Sequence, residues 1–273
     1  MTEISVATWN LHQAVDKRAE NIGATWRYLE REVRPTIALV QEATVIPETP
    51  GGQVASRADD VGYATAVVGY GARLERLPEV TTRYSRRHAF VISPRVPATF
   101  AVAQVVDLPD DVEPFVAISL YGRMAPLYAQ TGVLRAVADL IPLFDAPAFN
   151  RRIVLGGDLN VYDQTSDKVM RGRWKAILAI VESLGLVNLL KVTQPDRGPR
   201  PGCPCREPSC WHVETFHHRN APAGREGYFT TDYLFASRDL ADRLIRPLEV
   251  WGGTRPEVWE LSDHCPLVAR FGL

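Results

Sequence analysis

The sequence predicts an α/β protein built from mixed β-sheets that are covered by helices. Nine short apolar runs have the length and residue types of strands, and they outnumber the helical patterns. The helical patterns do not alternate strictly with the strands, which disfavours a barrel of repeated β/α units. With 273 residues, 46% of them hydrophobic, the chain is long enough to bury a large core.

The strand predictions depend on runs rich in β-branched and aromatic residues, bounded by turn residues. The predicted strands are Ile4–Trp9, Ile37–Gln41, Tyr63–Gly69, Ala89–Ser93, Ala101–Val106, Phe115–Tyr121, Ile153–Gly156, Thr230–Phe235 and Pro266–Phe271.

Three segments repeat apolar residues at helical spacing. In the first of them Ile22, Trp26 and Leu29 share one face, and Pro35 stops the helix. The predicted helices are Lys17–Val33, Leu127–Phe144 and Lys168–Leu184.

The whole chain, residues 1–273, is predicted to form one domain, because no repeat or linker divides it. Two regions, Pro47–Asp60 and Gln194–Gly227, are predicted to be irregular. No apolar run is long enough to span a membrane, and the first strand leaves no room for a signal peptide. We therefore expect a cytoplasmic protein that does not bind membranes, and we assume a monomer.

The most informative stretch is Ile153–Asn160, an apolar run that ends in an aspartate and an asparagine two positions apart. Alternate residues of a strand point to the same side, so Asp158 and Asn160 are expected to project together. The two preceding glycines would let the backbone and a ligand approach closely. Asp and Asn also begin turns, so this octet alone fits turn chemistry as well as a site.

Polar side chains also stand at the ends of several other predicted strands. Asp232 is placed inside a strand, where a charge needs a partner. Because sites in layered α/β proteins gather where strand ends converge, the recurrence indicates a site. The residues are Asn10, Glu42, Tyr121, Asp232, Asp263 and His264.

Five polar segments, in their order and at their separations, resemble the endonuclease/exonuclease/phosphatase superfamily, which includes deoxyribonuclease I and the exonuclease III type of abasic-site endonuclease. The segments are Thr8-Trp9-Asn10, Gln41-Glu42, Gly157-Asp158-Leu159-Asn160, Asp232-Tyr233 and Ser262-Asp263-His264. The resemblance spans nearly the whole chain. It implies a four-layer α/β sandwich, with two central sheets flanked by helices and the site at one end of the sheets. It leaves the substrate open, because relatives cleave DNA, RNA, inositol phosphates or sphingomyelin.

A hard divalent cation assists phosphodiester cleavage by neutralising charge on oxygen. Mg²⁺ or Mn²⁺ prefers carboxylate oxygens, so Glu42 and Asp263 are the predicted ligands. Asn10 would stand nearby as a neutral oxygen donor or would position water. Asp158 is expected to accept a proton from the attacking water or to orient it, while Asn160 binds phosphate oxygens or Asp158.

His264 is predicted to pair with Asp232, which favours the charged imidazolium facing a phosphate. Whether His264 acts as the base or as a phosphate clamp stays open. Tyr121 stands where deoxyribonuclease I relatives carry a histidine, and it resembles the tyrosine of the abasic-site enzymes. It is expected to bind the scissile phosphate or the leaving oxygen. His12 stands where those enzymes tend to carry an acid, which disfavours a second metal there and leaves a substrate contact or a surface position.

The formal net charge is −1, so any binding of a polyanion depends on a local basic patch. The segment Arg83–His88, which contains Arg86 and Arg87, is a candidate for steering phosphates, and Arg123 is close enough to Tyr121 to join it. Arginines number 27 of the 31 basic residues, but an arginine-rich genome gives the same count.

Three of the four cysteines fall in one short loop with a histidine. In a cytoplasmic chain this composition favours metal over a disulfide. Three thiolates and one imidazole complete a tetrahedral Zn²⁺ site, although unligated thiols or a redox switch remain alternatives. The residues are Cys203, Cys205, Cys210 and His212. The superfamily pattern does not include this insertion, which could border the active site and shape substrate choice.

Three functions stay open on the sequence. The leading hypothesis is a Mg²⁺-dependent nuclease acting on DNA or RNA. The second is a phosphatase or phosphodiesterase acting on inositol phosphates or another small molecule. The third is a non-catalytic, zinc-stapled protein that binds nucleic acid, which the apparently complete polar set disfavours.

Overall fold

The computed structural model describes residues 2–14, 19–77, 79–108, 112–124, 128–149, 152–193, 203–205, 210–218 and 228–273. Its strands are β1 (Glu3–Asn10), β2 (Ile37–Ala43), β3 (Gln53–Ala58), β4 (Tyr63–Gly69), β5 (Arg73–Arg76), β6 (Glu79–Thr82), β7 (Ser85–Val91), β8 (Phe100–Val106), β9 (Phe115–Leu120), β10 (Ile153–Asp158), β11 (Leu186–Asn188), β12 (Phe216–His217), β13 (Tyr228–Phe229), β14 (Asp232–Ser237), β15 (Glu249–Val250) and β16 (Leu267–Gly272).

Two six-stranded sheets form the centre of the molecule. The first has the order β15-β16-β1-β2-β4-β3, and the second has the order β11-β14-β10-β9-β8-β5. Both sheets are mixed: β1 runs parallel to β2 and antiparallel to β16, and β10 runs parallel to β9 and antiparallel to β14. Two hairpins, β6-β7 and β12-β13, stand apart from the sheets.

Helices cover the outer face of each sheet. The helices are α1 (Ala19–Tyr28), α2 (Ala129–Phe144), α3 (Lys168–Ser183), α4 (Leu189–Thr193), α5 (Arg238–Ala241) and α6 (Val258–Leu261). A π-helical turn, Leu29–Val33, continues α1. Helices α1 and α6 pack outside the first sheet, whereas α2 and α3 pack outside the second. The predicted four-layer α/β sandwich is therefore confirmed. None of the helices described is long and apolar enough to cross a bilayer.

The alternation of side chains along the strands builds the core between the sheets. Ile4 and Val6 of β1 point into the space between the sheets, while Ala7 and Trp9 point outward to the packing around α1. The inner face also carries a polar contact, because Nε2 of Gln41 donates to Oγ of Ser119 at 2.9 Å across the two sheets. This buried bond fixes the ends of β2 and β9 relative to each other.

The glycines before Asp158 serve the packing of strands. A Cβ on Gly157, whose φ is +156°, would lie 1.7 Å from the carbonyl oxygen of Leu120. A Cβ on Gly156 would lie 2.4 Å from Leu234. The expectation that these glycines admit a ligand is therefore wrong, because protein atoms already fill both positions.

Several elements differ from the sequence predictions. The segment Pro47–Asp60 is not wholly irregular: it contains β3, an edge strand with little apolar signal because only Ala58 among its residues is buried. β14 begins at Asp232 rather than before it, and β7 begins four residues earlier than predicted because it pairs with β6. The predicted helix starts at Lys17 and Leu127 lie outside the described residues, as does most of Gln194–Gly227.

Candidate active site

Strand direction brings the predicted site residues to one end of the two sheets. The carboxyl ends of the parallel pair β1 and β2 carry Asn10 and Glu42, and those of β9 and β10 carry Tyr121 and Asp158. Because β14 and β16 run the opposite way, their beginnings lie at this same end. Asp232 is directly opposite Asp158 in the β10–β14 register.

Glu42 lies in a distorted part of β2. The pairing with β4 shifts between Val40 and Ala43, and the φ of Glu42 is +53°. Such local strain is found where a strand must direct a side chain to a particular place. Oε1 of Glu42 accepts a bond from the hydroxyl of Tyr121 at 2.6 Å and a longer one from Nδ2 of Asn10 at 3.4 Å. Oε2 is buried and has no hydrogen-bond partner among the described residues.

Asp158 is fully buried and accepts hydrogen bonds from two side-chain amides and one backbone amide. Nδ2 of Asn10 and Nδ2 of Asn160 each donate to Oδ2 at 3.0 Å, and the backbone amide of Asn160 donates to Oδ1 at 2.8 Å. β10 ends at Asp158, and the φ of Asn160 is +49°, so the chain turns back there. Asp158 and Asn160 therefore come together through an Asx turn rather than through the alternation of side chains along a strand. The segment Ile153–Asn160 therefore ends in a turn and also contributes to the polar site, as the two interpretations of its sequence proposed.

His264 lies between carboxylates in the centre of the cluster. Its Nδ1 is 2.9 Å from Oδ2 of Asp232, and its Nε2 is 3.7 Å from Oδ2 of Asp158 and 3.8 Å from Oδ1 of Asp263. The hydroxyl of Thr231 also donates to Oδ2 of Asp232, whereas Oδ1 of Asp232 is buried without a partner among the described residues. The predicted His264–Asp232 contact is therefore present in the structure.

Burial and charge set the protonation of this group. Burial alone would lower the pKa of His264, but Asp232, Asp158 and Asp263 raise it to about 10. Burial raises the pKa of Asp158 to about 7, against the opposing charge of His264 and with a further rise from Asp232. At neutral pH His264 is therefore an imidazolium, and Asp158 is close to its midpoint. Burial and the nearby Glu42 raise the pKa of Tyr121, which keeps its hydroxyl a donor.

His12 and Asp263 join the same cluster. Nδ1 of His12 is 3.0 Å from Oδ1 of Asp263, and the backbone amide of His12 donates to Oδ1 of Asn10 at 3.0 Å. A continuous set of polar contacts thus connects Glu42, through Asn10 and His12, to Asp263. One ligand atom each of Asp158, Asp232 and His264 also lies within 4.8 Å of the others, a spacing that could hold a metal.

The predicted arginine patch lies elsewhere. The backbone amide of Arg83 donates to the carbonyl oxygen of Asp145, just after the carboxyl end of α2, whereas Tyr128 at the other end of α2 lines a cavity beside Asn160. The 16 residues of α2 span about 24 Å. Arg87 is exposed on β7 near this distant turn. The backbone of Arg86 lies in the same strand.

Arg123 does not extend this patch. Its side chain is 2% exposed, and its guanidinium bonds to Asp60 at 2.6 Å and to the carbonyl oxygen of Pro97 at 3.2 Å. Steering phosphates needs exposed charge near the site. Arg123 therefore does not join the predicted patch at Arg83–His88, because its charge is buried and already paired.

The cysteine loop forms a compact cluster. The ligand atoms of its four predicted zinc-binding residues all lie within 4.8 Å of one another; the residues are Cys203, Cys205, Cys210 and His212. The sulfurs of Cys203 and Cys205 are 3.2 Å apart, well beyond the length of a disulfide bond. Nδ1 of His212 faces the sulfurs of Cys210 and Cys203 at 3.4 and 3.6 Å, and its Nε2 lies 2.5 Å from Oδ1 of Asp163.

Residues just after this cluster contact the site, and the sequence did not identify them. Oγ1 of Thr215 accepts bonds from the backbone amides of Thr231 and Asp232. The ring of Phe216 packs on His264, with 4.7 Å between ring centroids. Neither residue carries a sequence signal, because their role depends on where the loop folds. The expectation that the insertion borders the site agrees with these contacts.

A cavity of about 280 Å³ lies next to the carboxylate and histidine site, where Asn160 is one of its lining residues. Tyr128, Tyr162 and Trp174 are among its lining residues, and Tyr128 is half exposed. The ring centroids of Tyr162 and Trp174 are 3.9 Å apart, so one wall is aromatic. A flat apolar partner of moderate size could lie against this wall.

The fold and the cluster define a class: an α/β sandwich with a buried carboxylate and histidine site at one end of its paired sheets. No protein-family model matches the chain, and no curated protein matches it. Solved structures do. An AP endonuclease from Archaeoglobus fulgidus is 18% identical with a TM-score of 0.61, and the match covers 99% of this chain and 100% of that one.

Two further structures agree. AP endonuclease LMAP from Leishmania major is 16% identical with a TM-score of 0.64 over 99% of this chain and 88% of that one. The 3′ phosphatase NExo from Neisseria, bound to a product DNA hairpin, is 16% identical with a TM-score of 0.63 over 99% and 100%. At these identities the similarity establishes the fold alone, which is the sandwich expected from the sequence.

Proposed function

We propose that this protein is a divalent-metal-dependent phosphodiesterase, a nuclease that hydrolyses DNA or RNA by attack of water. The proposal rests on the buried row Asp158–His264–Asp232 and on the Glu42 carboxylate, whose Oε2 has no hydrogen-bond partner among the described residues. Buried charges cost free energy unless they are paired. Three carboxylates around one imidazolium, with Glu42 linked to them through Asn10, are therefore expected where a cation and a phosphate bind.

The residues present fit Mg²⁺ or Mn²⁺. A hard cation prefers carboxylate and amide oxygens, and the Oε2 of Glu42 is a buried acceptor in need of a positive partner. Glu42 and Asp263 would hold the ion, with Asn10 beside them. We favour this place over the group Asp158, Asp232 and His264, because the imidazolium already occupies that group. When bound, the cation neutralises phosphate charge and stabilises the leaving oxygen.

The chain's own residues supply the remaining chemistry. Asp158 orients the attacking water and takes its proton, since its pKa of about 7 matches neutral pH. Asn10 and Asn160 fix the carboxylate of Asp158 through their amides. His264, with its higher pKa, stays protonated and stabilises negative charge on the phosphate. The hydroxyl of Tyr121 orients Glu42.

Two observations favour nucleic acid over a small substrate. The aromatic wall beside Asn160 offers a surface on which a base can stack. The solved structures of similar fold include two AP endonucleases and a protein bound to a DNA hairpin. The second candidate is a phosphatase, for example one acting on an inositol phosphate; the 3′ phosphatase among these structures favours monoester hydrolysis but not a small substrate.

The function is tested on a panel of duplex DNA, single-stranded DNA, RNA, abasic DNA and inositol phosphates. Cleavage of a nucleic acid with Mg²⁺ or Mn²⁺ is expected, with loss in EDTA and recovery on adding the metal. Glu42→Gln should raise the Mg²⁺ concentration for half-maximal rate by about tenfold or more. Glu48→Gln, an exposed neighbour, is the matched control. Cleavage that persists in EDTA would contradict the proposal, and hydrolysis of inositol phosphates alone would favour the second candidate.

We also propose Zn²⁺ for the cysteine cluster, in agreement with its donor set of three sulfurs and one nitrogen. A single domain, a monomeric state and a cytoplasmic location complete the proposal. The reduced thiols of the cluster are compatible with a reducing compartment.

A further inference from the structure

The donor atoms of the cysteine cluster lie close enough together for one metal ion to contact all four of them. With Zn–S bonds of about 2.3 Å, the ligand atoms of a tetrahedral zinc site are about 3.5–3.8 Å apart. The observed separations include 3.4 and 3.6 Å from His212 to two sulfurs and 3.2 Å between two sulfurs. Cys205, Cys210 and His212 are at most 2% exposed, so an ion bound here would be closed off from water.

Neighbouring residues orient this cluster as a structural metal site requires. The contact of Nε2 of His212 with Asp163 leaves Nδ1 facing the sulfurs, and such a carboxylate contact is usual for a zinc-binding histidine. The guanidinium of Arg171, on α3, donates to the carbonyl oxygen of Cys205 at 3.2 Å. Nε2 of Gln164 lies 3.8 Å from the sulfur of Cys203.

The cluster is joined directly to the active site by three residues. His212 is followed three positions later by Thr215, which accepts the backbone amide of Asp232 at 3.1 Å. Phe216 packs on His264, and the backbone amide of His217 donates to the carbonyl oxygen of Asp263 at 2.7 Å. The segment 215–217 therefore forms one wall of the site.

We propose that Zn²⁺ bound by the cysteine cluster is the structural support of this wall, so that zinc occupancy determines the placement of Asp232, Asp263 and His264. Thr215 and Phe216 are positioning residues that transmit the anchoring of His212 to the catalytic group. The effect on turnover rests on the proposed phosphodiesterase function, while the structural effect does not. The described segments 203–205 and 210–212 contain no helix or strand, so a bound metal would hold them together.

The test uses the full chain and begins with metal content. Elemental analysis is expected to find about one zinc per chain, retained in Cys265→Ala and lost in Cys210→Ser. Cys265 is the matched control because it is buried but lies outside the cluster. Asp163→Asn should weaken zinc binding by about 10- to 100-fold in a competition with a chelating dye.

Hydrogen exchange of backbone amides then measures the order of the segment 215–217 and its partners without any assay of activity. Removing zinc should speed exchange at the amides of Asp232, His217 and Cys265, all of which bond within this wall. Amides of β8 and β9 should keep their protection, which shows that the sandwich remains folded. Phosphodiester hydrolysis with Mg²⁺ should fall by about tenfold or more in Cys210→Ser, and Phe216→Ala should lower it while zinc stays bound.

Distinct results overturn distinct claims. A wild-type chain that neither contains zinc nor binds it from solution overturns the zinc site. A zinc-free chain with unchanged exchange at these amides overturns the coupling. If zinc loss exposes the amides but no preparation hydrolyses a phosphodiester, the wall is supported and the proposed function fails.

Discussion

Asp232→Asn isolates the charge that keeps His264 protonated. Aspartate and asparagine side chains have the same shape. The amide oxygen of asparagine can still accept the hydrogen bond that Nδ1 of His264 makes to Asp232 at 2.9 Å. The geometry should therefore persist while the negative charge is lost. Asp158 and Asp263 remain, but they lie 3.7 and 3.8 Å from Nε2 and contribute less.

The magnitude follows from the pKa of His264, which is raised from 6.5 to about 10. This net shift corresponds to about 5 kcal/mol in favour of the imidazolium, so the three carboxylates together supply at least that much against the cost of burial. If the nearest carboxylate supplies about 2 kcal/mol, the pKa of His264 should fall by about 1.5 pH units in Asp232→Asn. A raised histidine pKa stabilises the folded state fully below pH 6.5, and this stability is lost as the pH rises through about 10. The variant should lose it at a lower pH.

Nuclear magnetic resonance of ¹⁵N-labelled His264 gives its pKa directly, and hydrolysis of bis(p-nitrophenyl) phosphate gives the pH profile of the rate. In the variant, the alkaline limb of that profile should move with the pKa of His264. The control is Asp139→Asn. Asp139 is on α2 and pairs with the exposed Arg95, so this variant should change neither the pKa of His264 nor the pH profile. An unchanged titration of His264 in Asp232→Asn would refute the electrostatic account.

Three further predictions follow from the structure. The hydrolysis rate should be bell-shaped in pH, rising as Asp158 ionises near 7 and falling as His264 loses its proton near 10; a flat profile from 5 to 11 would contradict this assignment. Gly157→Ala should destabilise the fold by about 3 kcal/mol or more in thermal unfolding, whereas Gly172→Ala, an open position on α3, should be neutral or stabilising. Arg87→Ala should leave DNA binding unchanged, while Tyr128→Ala should weaken it about tenfold.

Much of the candidate site could be predicted because it depends on strand ends. Apolar runs identify strands, and polar residues just beyond them mark one edge of a sheet whatever the details of packing. The residues that converge in this way are Asn10, Glu42, Tyr121, Asp158, Asp263 and His264. The antiparallel direction of β14 and β16 brings their beginnings to the same edge as the ends of β1 and β10.

The remaining features depend on contacts between distant segments. Arg123 resembles an exposed arginine in sequence, but its side chain is buried and pairs with Asp60. The arginines of β7 are placed by a hairpin whose turn bonds to the far end of α2. Thr215 and Phe216 reach the site only because the cysteine cluster folds beside it. None of these contacts leaves a periodic or compositional signal.

The central claim is that Asp158 activates water for attack on a phosphodiester. The most direct measurement is the rate of bis(p-nitrophenyl) phosphate hydrolysis at saturating Mg²⁺ and pH 8, for the wild-type chain and for Asp158→Asn. We expect measurable hydrolysis by the wild type and a loss of about 10²-fold or more in the variant, which keeps the side-chain shape but lacks the base. Equal rates for the two proteins would contradict this claim.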